Sequence, residues 1–161
     1  AGANSRQTLS VPIQKNHGEK MPIKKVKIYY AEDWQRIHLK AIESAYRNSP
    51  FYEFYIDDIV PFFKNRYKSL FELNIEILNK FMEILEIKTK ITETKEFKKE
   101  YIKTFDFRNS IHPKLRMQQE DSLFHAKKYY QVFSEKNGFL ENLSILDLLF
   151  NEGPDSLNYL K

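Results

Sequence analysis

The chain has no cysteine, only four glycines and one tryptophan. Without cysteine there can be no disulfide, no thiolate metal ligand, no thiol nucleophile and no thioester to the protein itself. That lack fits a reducing, cytoplasmic location. The few glycines form no GxGxxG, P-loop or GxSxG pattern, which removes the common dinucleotide, nucleotide and α/β-hydrolase signatures and implies no cofactor. No stretch approaches the ~18 apolar residues of a spanning helix, so membrane insertion is not expected. The opening "AGANSRQTLS" lacks a basic segment followed by an apolar core, so no signal peptide is expected. The histidines stand at positions 17, 38, 112 and 125, with no i,i+4 pair and no HExxH, so no metal site is expected.

What is present suits a folded chain. At 161 residues the expectation is one domain, residues 1–161. Aromatics make up 15% of the chain, with 13 Phe and 10 Tyr, enough large side chains for a core. The net charge of +4 comes from lysine mixed with glutamate along the chain rather than from one basic block. A partner carrying phosphate or carboxylate is permitted. A dense basic stripe or a known nucleic-acid motif is lacking, so nucleic acid is not an expected partner.

Residues 7–13 ("QTLSVPI") and 23–30 ("IKKVKIYY") read as strands flanking a loop with Gly18 and Pro22. The period then becomes helical. Trp34, Ile37, His38, Ala41, Ile42 and Ala45 recur on one face of 33–48. Ser49 and Pro50 suit the cap and first residue of a second helix over 51–67, with Phe51, Tyr55, Ile59 and Phe62 on one face. Pro61 is expected to bend or split it. Ser69 and Glu72 form a capping box opening a helix to about Glu86, with Leu70, Asn74, Ile77, Leu78, Phe81 and Leu85 as its stripe. Residues 88–94 and 127–133 read as short strands, 95–103 as an exposed helical turn or two, and 104–124 as an irregular loop. Ser144 can cap a short helix from Ile145 to about Asn151, with Gly153 in the left-handed conformation and Pro154 beyond it. The expected fold class is α+β: a small, mainly antiparallel sheet packed on three main helices, with a short C-terminal helix.

Six phrases, taken in order, carry a resemblance. They are "LSVPI" (9–13), "WQRIHLKAIESAYRNSPFYEFY" (34–55), "LFELNIEIL" (70–78), "HPK" (112–114), "YYQVF" (129–133) and "NLSILDLLFNEGP" (142–154). Together they resemble the WbqC-like protein family, bacterial proteins linked to O-antigen and other surface-polysaccharide gene clusters. The resemblance spans nearly the whole chain. Family members carry a further N-terminal segment before the "LSVP" phrase, and on this resemblance the chain is expected to lack it. The resemblance implies work on a surface glycan or nucleotide sugar, as a transferase adding a small acyl or aminoacyl group to an amino sugar. The alternative is a non-catalytic binding or assembly component of the same pathway.

The residues offer several candidates for chemistry. His38, on the apolar face of its helix, is either a buried imidazole with satisfied nitrogens or a general base for an attacking amine or hydroxyl. Tyr46 and Asn48 close the same helix and can hydrogen-bond a ligand, or serve as core and cap. His112 and Lys114 can bind a phosphate or form an ordinary solvated turn, and Lys15 and His17 carry the same choice. Gln131, between Tyr129 and Phe133, is either the floor of a small polar pocket or part of a wet edge strand. Packing alone does not need Asn142 or Asp147, which marks both as candidate ligand-binding residues.

Overall fold

Trp34, His38, Ile42, Ala45 and Tyr46 are all buried. Their spacing is that of one helical stripe. In the computed structural model they lie on helix α1, Trp34–Tyr46. The structure describes residues 2–3, 5–15, 21–99, 101, 106–108 and 125–160. Ala1–Lys88 together with Lys127–Lys161 form one compact unit, and Thr89–Ala126 form a second.

Helix α2, Tyr52–Lys64, buries Tyr52, Ile56, Ile59 and Phe62. Pro61 does not split it. The proline lies in the last turn, where its missing N–H removes one bond, that to the Asp57 carbonyl, while the Asn65 N–H still donates to the Pro61 carbonyl at 2.9 Å. The start differs from the expected cap. Ser49 gives its backbone carbonyl to the Tyr52 N–H at 3.2 Å. Its hydroxyl is buried with no hydrogen-bond partner among the described residues.

Helix α3, Leu70–Ile84, opens on the expected box. The Glu72 N–H donates to Ser69 Oγ at 3.1 Å, while the Glu72 carboxylate reaches back to the Lys68 N–H at 2.6 Å. Its inward face is Leu70, Leu73, Ile77 and Phe81. Asn74 and Leu78, expected on that face, are exposed.

The expected sheet is absent, and the α+β class is replaced by a mostly helical fold. Of the segments 7–13, 23–30, 88–94 and 127–133, only the first two pair, through a single antiparallel bridge between Ile13 and Ile28. The Gln14 N–H donates to the Lys27 carbonyl and the Tyr29 N–H to the Pro12 carbonyl, both at 2.9 Å. The ladder stops there for clear reasons. Pro12 has no N–H to give. Pro22 leads into a tight 3₁₀ turn over Ile23–Lys25, and the Val26 carbonyl is taken by the Leu70 N–H at 2.8 Å. Residues 88–94 form no ladder. In 127–133 no strand partner is found among the described residues: Glu152 Oε1 accepts from the Tyr130 N–H at 3.0 Å, and the Gln131 side-chain amide turns away to bond both the N–H and the carbonyl of Leu140 at 2.9 Å. β-Branched and aromatic side chains gave these segments a strand-like pattern, but backbone groups such as the Val26 carbonyl and the Tyr130 N–H found other partners.

A one-turn helix, α4 (Ser134–Asn137), ends at Gly138. Helix α5, Ile145–Glu152, is capped by Ser144, whose Oγ accepts from the Leu146 N–H at 3.3 Å. Gly153 follows with positive φ, as expected. A 3₁₀ turn over Gly153–Asp155 leads into α6, Ser156–Tyr159. Phe150, fully buried, packs its ring 5.2 Å from both Tyr46 and Tyr52, and its carbonyl accepts the Phe51 N–H at 2.9 Å. The core of this unit thus joins α1, α2, α3 and α5 around Ile42, Ile59, Leu73 and Phe150.

Within the second unit, Arg108 pairs with Asp106, donates to the Lys98 and Lys99 carbonyls at 2.8 and 3.3 Å, and lies over the Tyr101 and Phe97 rings. The described part of 95–103 contains no helix.

Candidate functional site

Helix α1 turns Trp34, His38, Ile42 and Tyr46 inward, four residues apart. Across from them stand Phe62 and Phe63 of α2, Leu73 and Ile77 of α3, the extended segment from Gln7 to Val11, and Ser144 with Leu146 at the start of α5. Between them lies a cavity of about 300 Å³. Its walls are mainly apolar, and among the described residues no Asp or Glu lines it.

His38 is the titratable group of this cavity. Its ring meets Trp34 edge-on at 5.1 Å and Phe63 at 6.1 Å. Burial pushes its pKa below the ordinary 6.5, and a hydrogen bond to the Ser10 backbone opposes that only in part. His38 is therefore neutral near pH 7, the form that can accept a proton. Trp34 keeps its indole Nε1 buried with no acceptor among the described residues. A buried N–H without a partner is costly, and a ligand acceptor would relieve it.

A second polar cluster meets the cavity at Tyr46. Asp147 of α5 is only 2% exposed. The Tyr129 hydroxyl donates to its Oδ2 at 2.8 Å, and the Tyr46 hydroxyl is hydrogen-bonded to the same carboxylate. Burial first, and the Asp147 charge second, push the Tyr46 pKa far above its usual value. Tyr129 is also raised, chiefly by burial, with a Gln131 hydrogen bond opposing and the Asp147 charge adding. Both phenols stay protonated and serve as donors. Asn151 donates to the Asp147 carbonyl at 2.7 Å, and Ser156 Oγ donates to the Gly153 carbonyl at 2.6 Å, so the polar side of α5 is tied into the unit.

Of the expected site residues, His38 and Tyr46 therefore line one cavity. Asp147 reaches it only through Tyr46. Gln131 is 2% exposed, and its amide is taken by the Leu140 backbone and the Tyr129 hydroxyl. Asn142 is exposed with φ 52°, a left-handed conformation that Asn adopts readily, which gives it a backbone reason to be there. Asn48 is exposed in the turn after α1, and Lys15 lines a different, shallow groove. His112, Lys114 and His17 lie outside the described residues. Sequence reasoning passed over Trp34 and Tyr129 as site residues. The available signals were the single tryptophan one helical turn before His38, and Tyr129 on the same side of its segment as Gln131.

The fold and cavity define a mostly helical protein with a neutral histidine at an apolar pocket. The family model described as "WbqC-like protein family" matches residues 1–159, and the chain belongs to that family. Membership suggests a role linked to polysaccharide gene clusters. No curated protein and no solved structure matches the chain. Among the described residues no helix is long and apolar enough to cross a membrane.

Proposed function

We propose that this protein is a transferase of surface-polysaccharide assembly, seating a small acyl or aminoacyl group in the α1 cavity for transfer to an amino sugar. The observation that carries this reading is a neutral His38 in the same apolar cavity as Trp34, whose indole N–H lacks an acceptor. The apolar walls suit a short acyl chain. The amine nitrogen of the sugar attacks the acyl carbonyl of an activated ester or thioester donor. The new C–N bond forms as the bond to the leaving group breaks. His38 takes the amine proton and returns it to the leaving group.

The test is a thermal-shift and turnover screen with nucleotide-linked amino sugars and short acyl or aminoacyl donors. The expected result is stabilisation by at least one donor, and turnover that His38→Gln abolishes while donor stabilisation persists. Absence of a shift with every donor and sugar would sink the reading. A second reading, a non-catalytic binding component, is favoured by one fact: among the described residues no carboxylate lines the cavity to orient His38. It predicts ligand stabilisation without product in the unaltered protein.

A further inference from the structure

The acidic and basic residues that alternate along the chain hide one uneven stretch. Residues 12–31 hold Lys15, Lys20, Lys24, Lys25 and Lys27 against one acid, Glu19. That local excess of four positive charges equals the net +4 of the whole chain, so the remainder is balanced. The charge is concentrated after all, where the single bridge between Ile13 and Ile28 brings two of these runs side by side.

The two runs border a shallow groove of about 400 Å³. It is lined by Lys15, Lys25 and Lys27, with Ile13, Met21 and Val26 as apolar walls, and no Asp or Glu among the described residues contributes. All three lysines are exposed, and none forms an ion pair among the described residues. Five other described surface cations, Arg36, Arg47, Lys80, Lys98 and Arg108, each hold a carboxylate. The groove shares no lining residue with the His38 cavity.

We propose that this groove is a binding site for a diphosphate, carried by a soluble ester or by a lipid headgroup. Three unpaired ammonium groups around one concavity match an anion bearing several charges better than a single carboxylate. Lysine acts as a compact point charge toward phosphate and needs no fixed fork geometry, which suits donors from two separate chain segments. The apolar walls leave room for a hydrocarbon or ring portion beside the anion.

The experiment is titration calorimetry of the full chain with inorganic pyrophosphate, using acetate as the monovalent control. Saturable pyrophosphate binding that weakens as NaCl rises is expected, with acetate failing to bind. The Lys15→Glu/Lys25→Glu/Lys27→Glu variant should lose at least about tenfold in affinity. The charge-matched control Lys40→Glu/Lys64→Glu/Lys128→Glu, at exposed positions elsewhere, should stay within about threefold. Competition by uridine diphosphate or by vesicles holding a polyprenyl diphosphate tells the soluble source from the lipid one, and displacement by either supports the site. Equal losses in both triple variants, or no saturable pyrophosphate binding, would overturn it. His38→Gln should leave the titration unchanged, so failure of the transferase reading and failure of this site are separately visible.

Discussion

Replacing Gly153 with alanine should be among the costliest single-methyl additions in the protein. Gly153 ends α5 with φ 55° and ψ −124°, a conformation open to glycine and strained for any L side chain. Holding alanine there costs about 1–3 kcal/mol. An added Cβ would also stand 2.5, 2.5 and 2.7 Å from three carbons of the Phe51 ring. Displacing that ring adds about 1–3 kcal/mol of overpacking. The loss of unfolded-chain freedom on going from glycine to alanine returns up to about 1 kcal/mol. The net expectation is a destabilisation of about 2–4 kcal/mol, read by urea unfolding followed by circular dichroism. Gly138 provides the internal control. It also has positive φ, at 68°, but a Cβ there meets nothing within 4 Å. Gly138→Ala should therefore show only the conformational part, about 1–3 kcal/mol. A double-mutant cycle with Phe51→Ala isolates the clash, and a favourable coupling of about 1–3 kcal/mol is expected. If Gly153→Ala unfolds within 0.5 kcal/mol of the parent, about the noise of a neutral surface change, the close packing of Phe51 on the end of α5 is not as described.

Other perturbations test other parts of the argument. Leu149 is fully buried, so Leu149→Ala should cost about 2–5 kcal/mol in the same assay, and a cost near zero would contradict its burial. Asp147→Ala removes the acceptor shared by Tyr46 and Tyr129 and should cost about 3–5 kcal/mol, whereas a neutral outcome would show that the two phenols have other partners. Because the His38 pKa is lowered in the folded state, the unfolded chain binds more protons below pH 6.5, and stability falls as the pH drops through and below that value. His38→Gln should flatten this part of the stability–pH curve, and parallel curves for the two proteins would refute the burial assigned to the ring. Gln131→Ala leaves the Leu140 backbone without its partners and should speed hydrogen exchange at the Leu140 amide, with protection unchanged as the refuting result.

The helices were legible because their patterns are local. The 34–38–42–45 stripe and the Ser69–Glu72 box need no distant partner to be read. Leu78 was assigned to the wrong side because apolar residues surround much of α3, and only the packing of Leu73 selects the buried face. The strands were misread because alternation reports side chains, not the destination of backbone groups. Nothing local says that Gln131 will bond Leu140, or that the Val26 carbonyl will receive the Leu70 N–H. The same limit applies to the site. His38 stood out as a lone polar residue on an apolar face, and Asp147 as an acid in an apolar run. That Tyr46, Tyr129 and Asp147 meet is a contact among three distant segments. Asn142 stood out as a polar residue that packing does not need; it is exposed, and its left-handed backbone conformation gives a local reason for an Asn there.

The way the Gln131 amide occupies the Leu140 backbone bears on how copies of this chain behave in a crowded solution. Exposed strand edges invite a second molecule to add its own strand and begin aggregation. Several stretches here have the β-branched, aromatic composition that feeds such growth. Yet Pro12 stops the Ile13–Ile28 pairing after one bridge, and side chains cap the Tyr130 N–H and both backbone groups of Leu140, which an incoming strand would need. Gln131 thus leaves the Leu140 backbone with nothing to offer an incoming strand, and Gln131→Ala should raise light scattering before it changes the helix signal.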